Sequence, residues 1–71
     1  MKAKEAKELK PCELVRVVGI RTIEPRMMGK VLVVEQVLHG GSFVVCSCDL
    51  RGIHHRGAVD CRDIEREGVR K

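Results

Sequence analysis

Residues 31–50 read VLVVEQVLHGGSFVVCSCDL, two apolar runs separated by a Gly-Gly pair, and this stretch decides the fold. Both runs are rich in β-branched residues, which favour strands. Gly40 and Gly41 can adopt the positive φ angles that a tight connection between strands needs. The stretch therefore predicts a β-hairpin, with one strand over 31–37 and the next over 42–50.

N-terminal to the hairpin, the sequence predicts another strand and a long loop. Five of the eight residues from Glu13 to Ile20 are apolar, with one arginine among them: Leu14, Val15, Val17, Val18 and Ile20. That density is typical of a buried strand. Residues 19–30 have neither helical nor strand periodicity and contain proline, glycine and arginine, which indicates an exposed loop. We expect its two methionines, Met27 and Met28, to pack back on the core.

The two ends of the chain give weaker signals. Residues 2–9 have helix-forming composition, but eight residues make only a marginal helix, and Pro11 cannot continue it. They predict a helical or disordered lead-in that docks through Leu9. Towards the C-terminus we expect turns at 49–52 and 56–57, a short strand from Ala58, and a helical turn over 64–67 capped by Asp63.

Short apolar segments separated by turns predict a mainly β fold, a small five-stranded SH3-like barrel whose closure removes exposed edges. The lead-in would occupy residues 1–10, the barrel 11–67 and a tail 68–71. A ribbon of hairpins held together by zinc is the competing interpretation.

Three segments resemble KOW and related SH3-like barrel domains. Residues 9–18, LKPCELVRVV, and 28–31, MGKV, followed by Val34 and Val37, are similar to the opening of such domains, which run Lys-x-Gly-Asp-x-Val-x-Val and later Gly-Lys-x-Gly-x-Val. Residues 59–65, VDCRDIE, look like the turn and last strand that close these barrels. Cys12 and Leu32 stand where the family has glycines. The resemblance implies the architecture more than it implies the family's RNA-binding loop.

Composition limits the partners. The 71 residues carry a formal net charge of +4, which favours anionic partners. Phe43 is the only aromatic residue, so base stacking and aromatic-lined peptide grooves are both disfavoured. The charged N-terminus has no apolar stretch typical of a signal peptide, and no segment is long enough to span a membrane. We therefore expect a cytoplasmic chain with no membrane partner.

The four cysteines allow two interpretations. Cys46 and Cys48 lie two apart in a predicted strand, on one face of it, and could form a zinc site with Cys61 and His54. Buried free cysteines, however, commonly pack as small hydrophobic residues. We expect core packing and no cofactor, and keep the zinc-stapled module as an alternative.

Nothing in the sequence forms a catalytic signature. Neighbouring histidines in a strand face opposite ways, so His54 and His55 make a poor catalytic pair, and we expect no enzymatic activity. A cationic groove is predicted instead, formed by the long loop and the segment after the third strand. Its candidate binding residues are Arg21, Arg26, Lys30, Arg51, His54, His55 and Arg56.

The predicted function is that of an adaptor, a binding module that docks on a larger protein or nucleoprotein assembly through this basic surface. Direct binding of nucleic-acid phosphates is the alternative that uses the same residues.

Overall fold

A computed structural model describes residues 1–50 and 52–67, and five strands form its framework. They are β1 (Leu14–Val17), β2 (Val31–Leu38), β3 (Phe43–Leu50), β4 (Ile53–Asp60) and β5 (Ile64–Arg66). A four-residue helix, α1 (Ala3–Ala6), precedes them. Single 3₁₀ turns occupy Pro25–Met27, His39–Gly41 and Cys61–Asp63. The predicted tail 68–71 and Arg51 lie outside the described residues.

The strands pair antiparallel in one open sheet, in the order β4-β3-β2-β1-β5. The predictions of a mainly β fold and of the β2–β3 hairpin are confirmed. The register of the hairpin shifts between Val34 and Gln36: Val34 pairs with Cys46 and Gln36 with Val45, so Glu35 lies in a bulge. This shift allows both Val34 and Val37 to pack towards the core, although they are three residues apart.

The core lies on one side of the sheet and is built almost entirely from small aliphatic side chains. Each of the first three strands contributes alternate residues, as expected for strands with one buried face. Ala6 and Leu9 add to it from the N-terminal segment. The buried set is Ala6, Leu9, Val15, Val17, Leu32, Val34, Val44, Cys46, Val59, Cys61 and Ile64.

The predicted turn at 56–57 is wrong, because Arg56 and Gly57 pair with Ser47 and Cys46 in the middle of β4. The strand consequently begins at Ile53, five residues before the predicted start at Ala58. Residues 53–58 are all exposed, so they carry no apolar alternation that would have marked them as a strand.

The helical turn predicted for 64–67 is also wrong. The turn lies at Cys61–Asp63, and Asp60 caps it by accepting a hydrogen bond from the Arg62 amide at 2.8 Å. Ile64 is fully buried and pairs with Val17, which makes it the first residue of β5. Asp63, the predicted cap, is buried instead.

The segment between β1 and β2, residues 18–30, is called the first loop below. It is the long loop that the sequence predicts, broken only by the turn at Pro25–Met27. Met27 packs against the core as expected, whereas Met28 is 49% exposed. None of the helices in the described part of the chain has the length and apolar character needed to cross a membrane.

Candidate binding groove

A groove of about 160 Å³ lies between the first loop and β4. Thr22, Ile23 and Met27 border it on the loop side, and residues 55–59 border it on the β4 side. Leu32, Cys46 and Cys48 form its floor. Most of these side chains are apolar, so the groove suits an apolar group more than an isolated charge.

Asp63 holds the first loop in place. Its side chain is fully buried and its Oδ2 accepts hydrogen bonds from the backbone amide and the hydroxyl of Thr22, both at 2.7 Å. Arg21 lies 3.3 Å from Oδ1. The backbone carbonyl of Asp63 also accepts from the amides of Val18 and Gly19. One residue therefore satisfies polar groups at four positions of the loop.

The surroundings of Asp63 favour its ionised form over its protonated form. Burial raises the pKa of Asp63, but hydrogen bonds from Thr22 and Arg21 outweigh burial and leave the pKa below its ordinary value. Gly19 allows this arrangement, because a Cβ there would lie 2.7 Å from Asp63 Oδ1. The close approach of the loop to Asp63 thus depends on a residue without a side chain.

Thr22 also joins the loop to the end of β4. Its Oγ1 accepts a hydrogen bond from the Asp60 amide at 2.9 Å while the hydroxyl proton is donated to Asp63. The Asp60 carboxylate binds Arg62, whose hydrogen bonds lower the pKa of Asp60 to about 2. These contacts fix one end of the groove.

Gly57 leaves a gap in the middle of the groove, because it has no side chain to fill the space there. It pairs with Cys46 across the β3–β4 ladder, and a Cβ built on it would meet no atom within 4 Å. Its φ is not positive, so neither backbone conformation nor packing requires glycine here. A glycine inside a strand that serves neither purpose is typical of a place where another chain or ligand approaches closely.

Cys46 forms the floor under this gap as an uncharged thiol. Burial, followed by the negative charge of Glu35, raises the pKa of Cys46 to about 12. Thiolates act as nucleophiles and metal ligands, whereas thiols do neither well. Cys46 therefore contributes an apolar surface to the groove.

No family model matches this chain, and no curated protein or solved structure is significantly similar to it.

The predicted binding residues are distributed unevenly around the groove. Only His55 and Arg56 line it. Arg21 and Arg26 are exposed on the first loop, where they contact Asp63 at 3.3 Å and Glu24 at 2.6 Å, and Lys30 is exposed at the end of the loop. Arg51 lies outside the described residues. The loop and β4 border one groove, but the groove is less cationic than the sequence indicates.

Glu35 accounts for part of this difference. Arg56 Nε lies 2.7 Å from its carboxylate, and His54 lies 3.9 Å from it and 3.1 Å from Asp49. A hydrogen bond from Ser47, with the charge of Arg56, lowers the pKa of Glu35 despite some desolvation. Residues on three neighbouring strands thus form an ion cluster on the face of the sheet opposite the core.

The alternative zinc ligands are not gathered. All four cysteines are free, and the part of the chain that the structure describes contains no group of three or more potential ligands. His54 pairs with Asp49, whereas Cys46 and Cys48 pair with Gly57 and His55, so His54 lies on the other face of the sheet. Cys61 lies in the turn before β5.

Sequence reasoning missed the residues that shape the groove, namely Thr22, Asp63 and Gly57. Thr22 and Asp63 carry no local signal, since they meet only in the folded chain. Gly57 did carry one, because a single glycine inside a possible strand marks a close approach as well as a turn.

Proposed function

We propose that this chain is a non-catalytic adaptor module of the SH3-like barrel type, which docks on a larger protein or nucleoprotein assembly through the groove between the first loop and β4. The barrel architecture is supported by the pairing of β1 with β5 and by the short turn before β5. First and last strands are neighbours in such barrels, and a turn of this kind precedes the last strand in the domains that the sequence resembles.

The observation that carries the proposal is the gap over Gly57. An apolar floor beneath an unfilled position in a strand offers a place for one apolar side chain of a partner. Small aliphatic residues line such sites well, and a few polar groups at the margin provide orientation. His55 and the exposed arginines supply those groups.

The charges favour a protein partner over a nucleic acid. Arg21, Arg26 and Arg56 each contact a carboxylate of this chain, so little uncompensated positive charge remains for the several phosphates that nucleic-acid binding must neutralise. Their side chains remain more than half exposed, which suits acidic residues at the edge of a protein interface. The net charge of +4 attracts such an acidic partner and speeds its encounter with the chain.

The test is affinity capture from an extract of the source organism, with and without nuclease, using the natural chain and two variants. Gly57→Val fills the gap. Arg26→Glu with Lys30→Glu reverses two loop charges, and Lys4→Glu with Lys7→Glu is the matched control, because it makes the same charge change on exposed lysines near α1.

We expect a nuclease-resistant partner that the Gly57 variant loses, the loop variant binds more weakly and the control retains. A partner lost on nuclease treatment, together with a salt-sensitive shift of labelled RNA or DNA, would replace the proposal with direct nucleic-acid binding. Capture that survives Gly57→Val would refute the role of the groove.

A further inference from the structure

The outer edge of β4 is open over most of its length. β4 pairs with β3 on one side only, and it ends the sheet. In an antiparallel strand, the backbone N–H and C=O groups of alternate residues point to the same side. The Asp60 amide points away from β3, since it binds Thr22, while the Cys61 amide points towards it and binds the carbonyl of Ser42.

This alternation identifies the outward groups. Counting back from Asp60, the N–H and C=O groups of Ala58, Arg56 and His54 also point away from β3. Within residues 1–50 and 52–67, no backbone hydrogen bond joins these three to another segment. An edge of this kind is a template for pairing with another strand, and β4 lacks the proline or bulge that commonly blocks it.

The groove lies beside the same edge. The first loop accepts a hydrogen bond from this edge at the Asp60 amide, and the groove runs along residues 55–59. A strand added at Ala58, Arg56 and His54 would point alternate side chains into the groove, towards the gap over Gly57. The open edge and the gap are independent observations that indicate the same occupant.

We propose that β4 accepts an extended peptide segment of a partner protein as a sixth strand, with one apolar side chain in the groove over Gly57 and acidic residues on either side of it. This inference rests on the proposed function, since it specifies how the groove binds a protein. Backbone pairing provides affinity, and the groove provides selectivity.

Charge decides between a peptide and a second copy of the chain. In the antiparallel register that uses all three outward positions of two β4 strands, the two Arg56 side chains face each other, and like charges directly opposite are destabilising. An acidic peptide meets the exposed guanidinium groups of Arg21 and Arg56 without this repulsion. The chain's net charge of +4 likewise disfavours pairing of two copies and favours an acidic peptide.

The experiment uses the full 71-residue chain and nonapeptides selected on it from a phage-displayed library, resynthesised with blocked ends. Ala58→Pro removes one outward N–H but leaves the ladder with β3 intact, and Ala58→Ser is the matched control that keeps the N–H. Gly57→Val fills the gap. Peptides N-methylated at single positions test backbone pairing without any change in the protein.

We expect an apolar residue flanked by acidic ones in the selected peptides, and slowed amide exchange at Arg56 and Ala58 on binding. Ala58→Pro and N-methylation at alternate peptide positions should each weaken binding about tenfold, as expected for lost strand hydrogen bonds. Gly57→Val should weaken it similarly, and Ala58→Ser should not.

Three results would overturn the inference, and they separate it from the proposed function. If Gly57→Val weakens binding while Ala58→Pro and every N-methylated peptide bind normally, the groove is used without strand addition. If the chain alone is a dimer that Ala58→Pro converts to a monomer, a second copy occupies the edge. Failure to select any peptide would also refute strand addition, while protein capture would still test the groove.

Discussion

The Thr22 hydroxyl and the Asp63 carboxylate, 41 residues apart in the chain, lie 2.7 Å from each other and join the first loop to the turn before β5. The same hydroxyl oxygen accepts from the Asp60 amide at the end of β4. Three segments that shape the groove therefore meet at one side chain, and the groove should depend on it.

Replacing Asp63 with asparagine should destabilise the fold. The substituted side chain would keep the shape of the aspartate but lose the charge that attracts Thr22 and Arg21, and we expect a loss of about 2 kcal/mol in the free energy of unfolding. Urea denaturation measures it. Asp49→Asn is the control, because the Asp49 side chain is 76% exposed, and it should change stability by less than about 0.5 kcal/mol. Equal effects of the two substitutions would contradict the assigned role.

Acidification should weaken the fold through Asp60 and Asp63. Both carboxyl groups have a pKa below the ordinary value of 3.8 in the folded chain, and the pKa of Asp60 is about 2. Their stabilising effect is therefore present above pH 3.8 and is lost as the pH falls towards 2. Urea denaturation from about pH 5 to about pH 2.5 should show this decline. The double variant Asp60→Asn with Asp63→Asn should give a shallower slope, and an unchanged slope would exclude these groups as its cause.

Adding a methyl group at Gly19 should disturb the loop. The new Cβ would lie 2.7 Å from Asp63 Oδ1 and 3.2 Å from its Cα, and relief of such overlap costs about 1–3 kcal/mol. Gly57→Ala is the matched control, since its Cβ meets open space. In thermal unfolding, Gly19→Ala should lower the midpoint temperature, whereas Gly57→Ala should not. A midpoint lowered equally in both variants would point to a general effect of replacing glycine.

The fold should be more stable with glycine than with cysteine at position 12. It has a φ of 74°, in the left-handed region that costs a residue with a Cβ about 1–2 kcal/mol. Cys12→Gly should therefore stabilise the fold by about 1 kcal/mol, after allowance for the greater freedom of glycine in the unfolded chain. Cys12→Ala retains the Cβ and should give no such gain. Equal stability of the two variants in urea would show that the backbone there is unstrained.

The purified chain should fold without zinc. His54 lies on the face of the sheet opposite Cys46 and Cys48, and the described residues contain no group of three or more potential ligands, whereas a structural zinc site needs four. We expect elemental analysis to find no stoichiometric zinc and thermal unfolding to be unchanged by EDTA. Stoichiometric zinc, with loss of structure on chelation, would establish the metal-stapled alternative.

The parts of the fold that were predictable are those with strong local signals. Valine-rich runs around Gly40 and Gly41 identify the β2–β3 hairpin, and the lack of periodicity identifies the first loop. Only the end of β4, from Ala58, was predictable. Residues 53–58 owe their strand conformation to pairing with β3 and have no buried face of their own. A strand exposed on both sides leaves almost no pattern in a sequence.

The groove was predictable in outline but not in its chemistry. The sequence indicated that the first loop and the segment after β3 border one site, and residues of both do line it. The carboxylates that bind Arg21 and Arg56 are Asp63 and Glu35, which are distant in sequence and reach them only through the sheet. Charge counted along the chain therefore overstated the positive charge of the site.

The two edges of the sheet differ greatly in length, since β4 has eight residues and β5 has three. A molecule with two equally receptive edges can join copies of itself end to end into an open-ended polymer. Here the described β5 offers too few backbone groups to serve as the complementary end. Strand addition at β4 would therefore stop after one step, so this edge can remain exposed without promoting fibre growth.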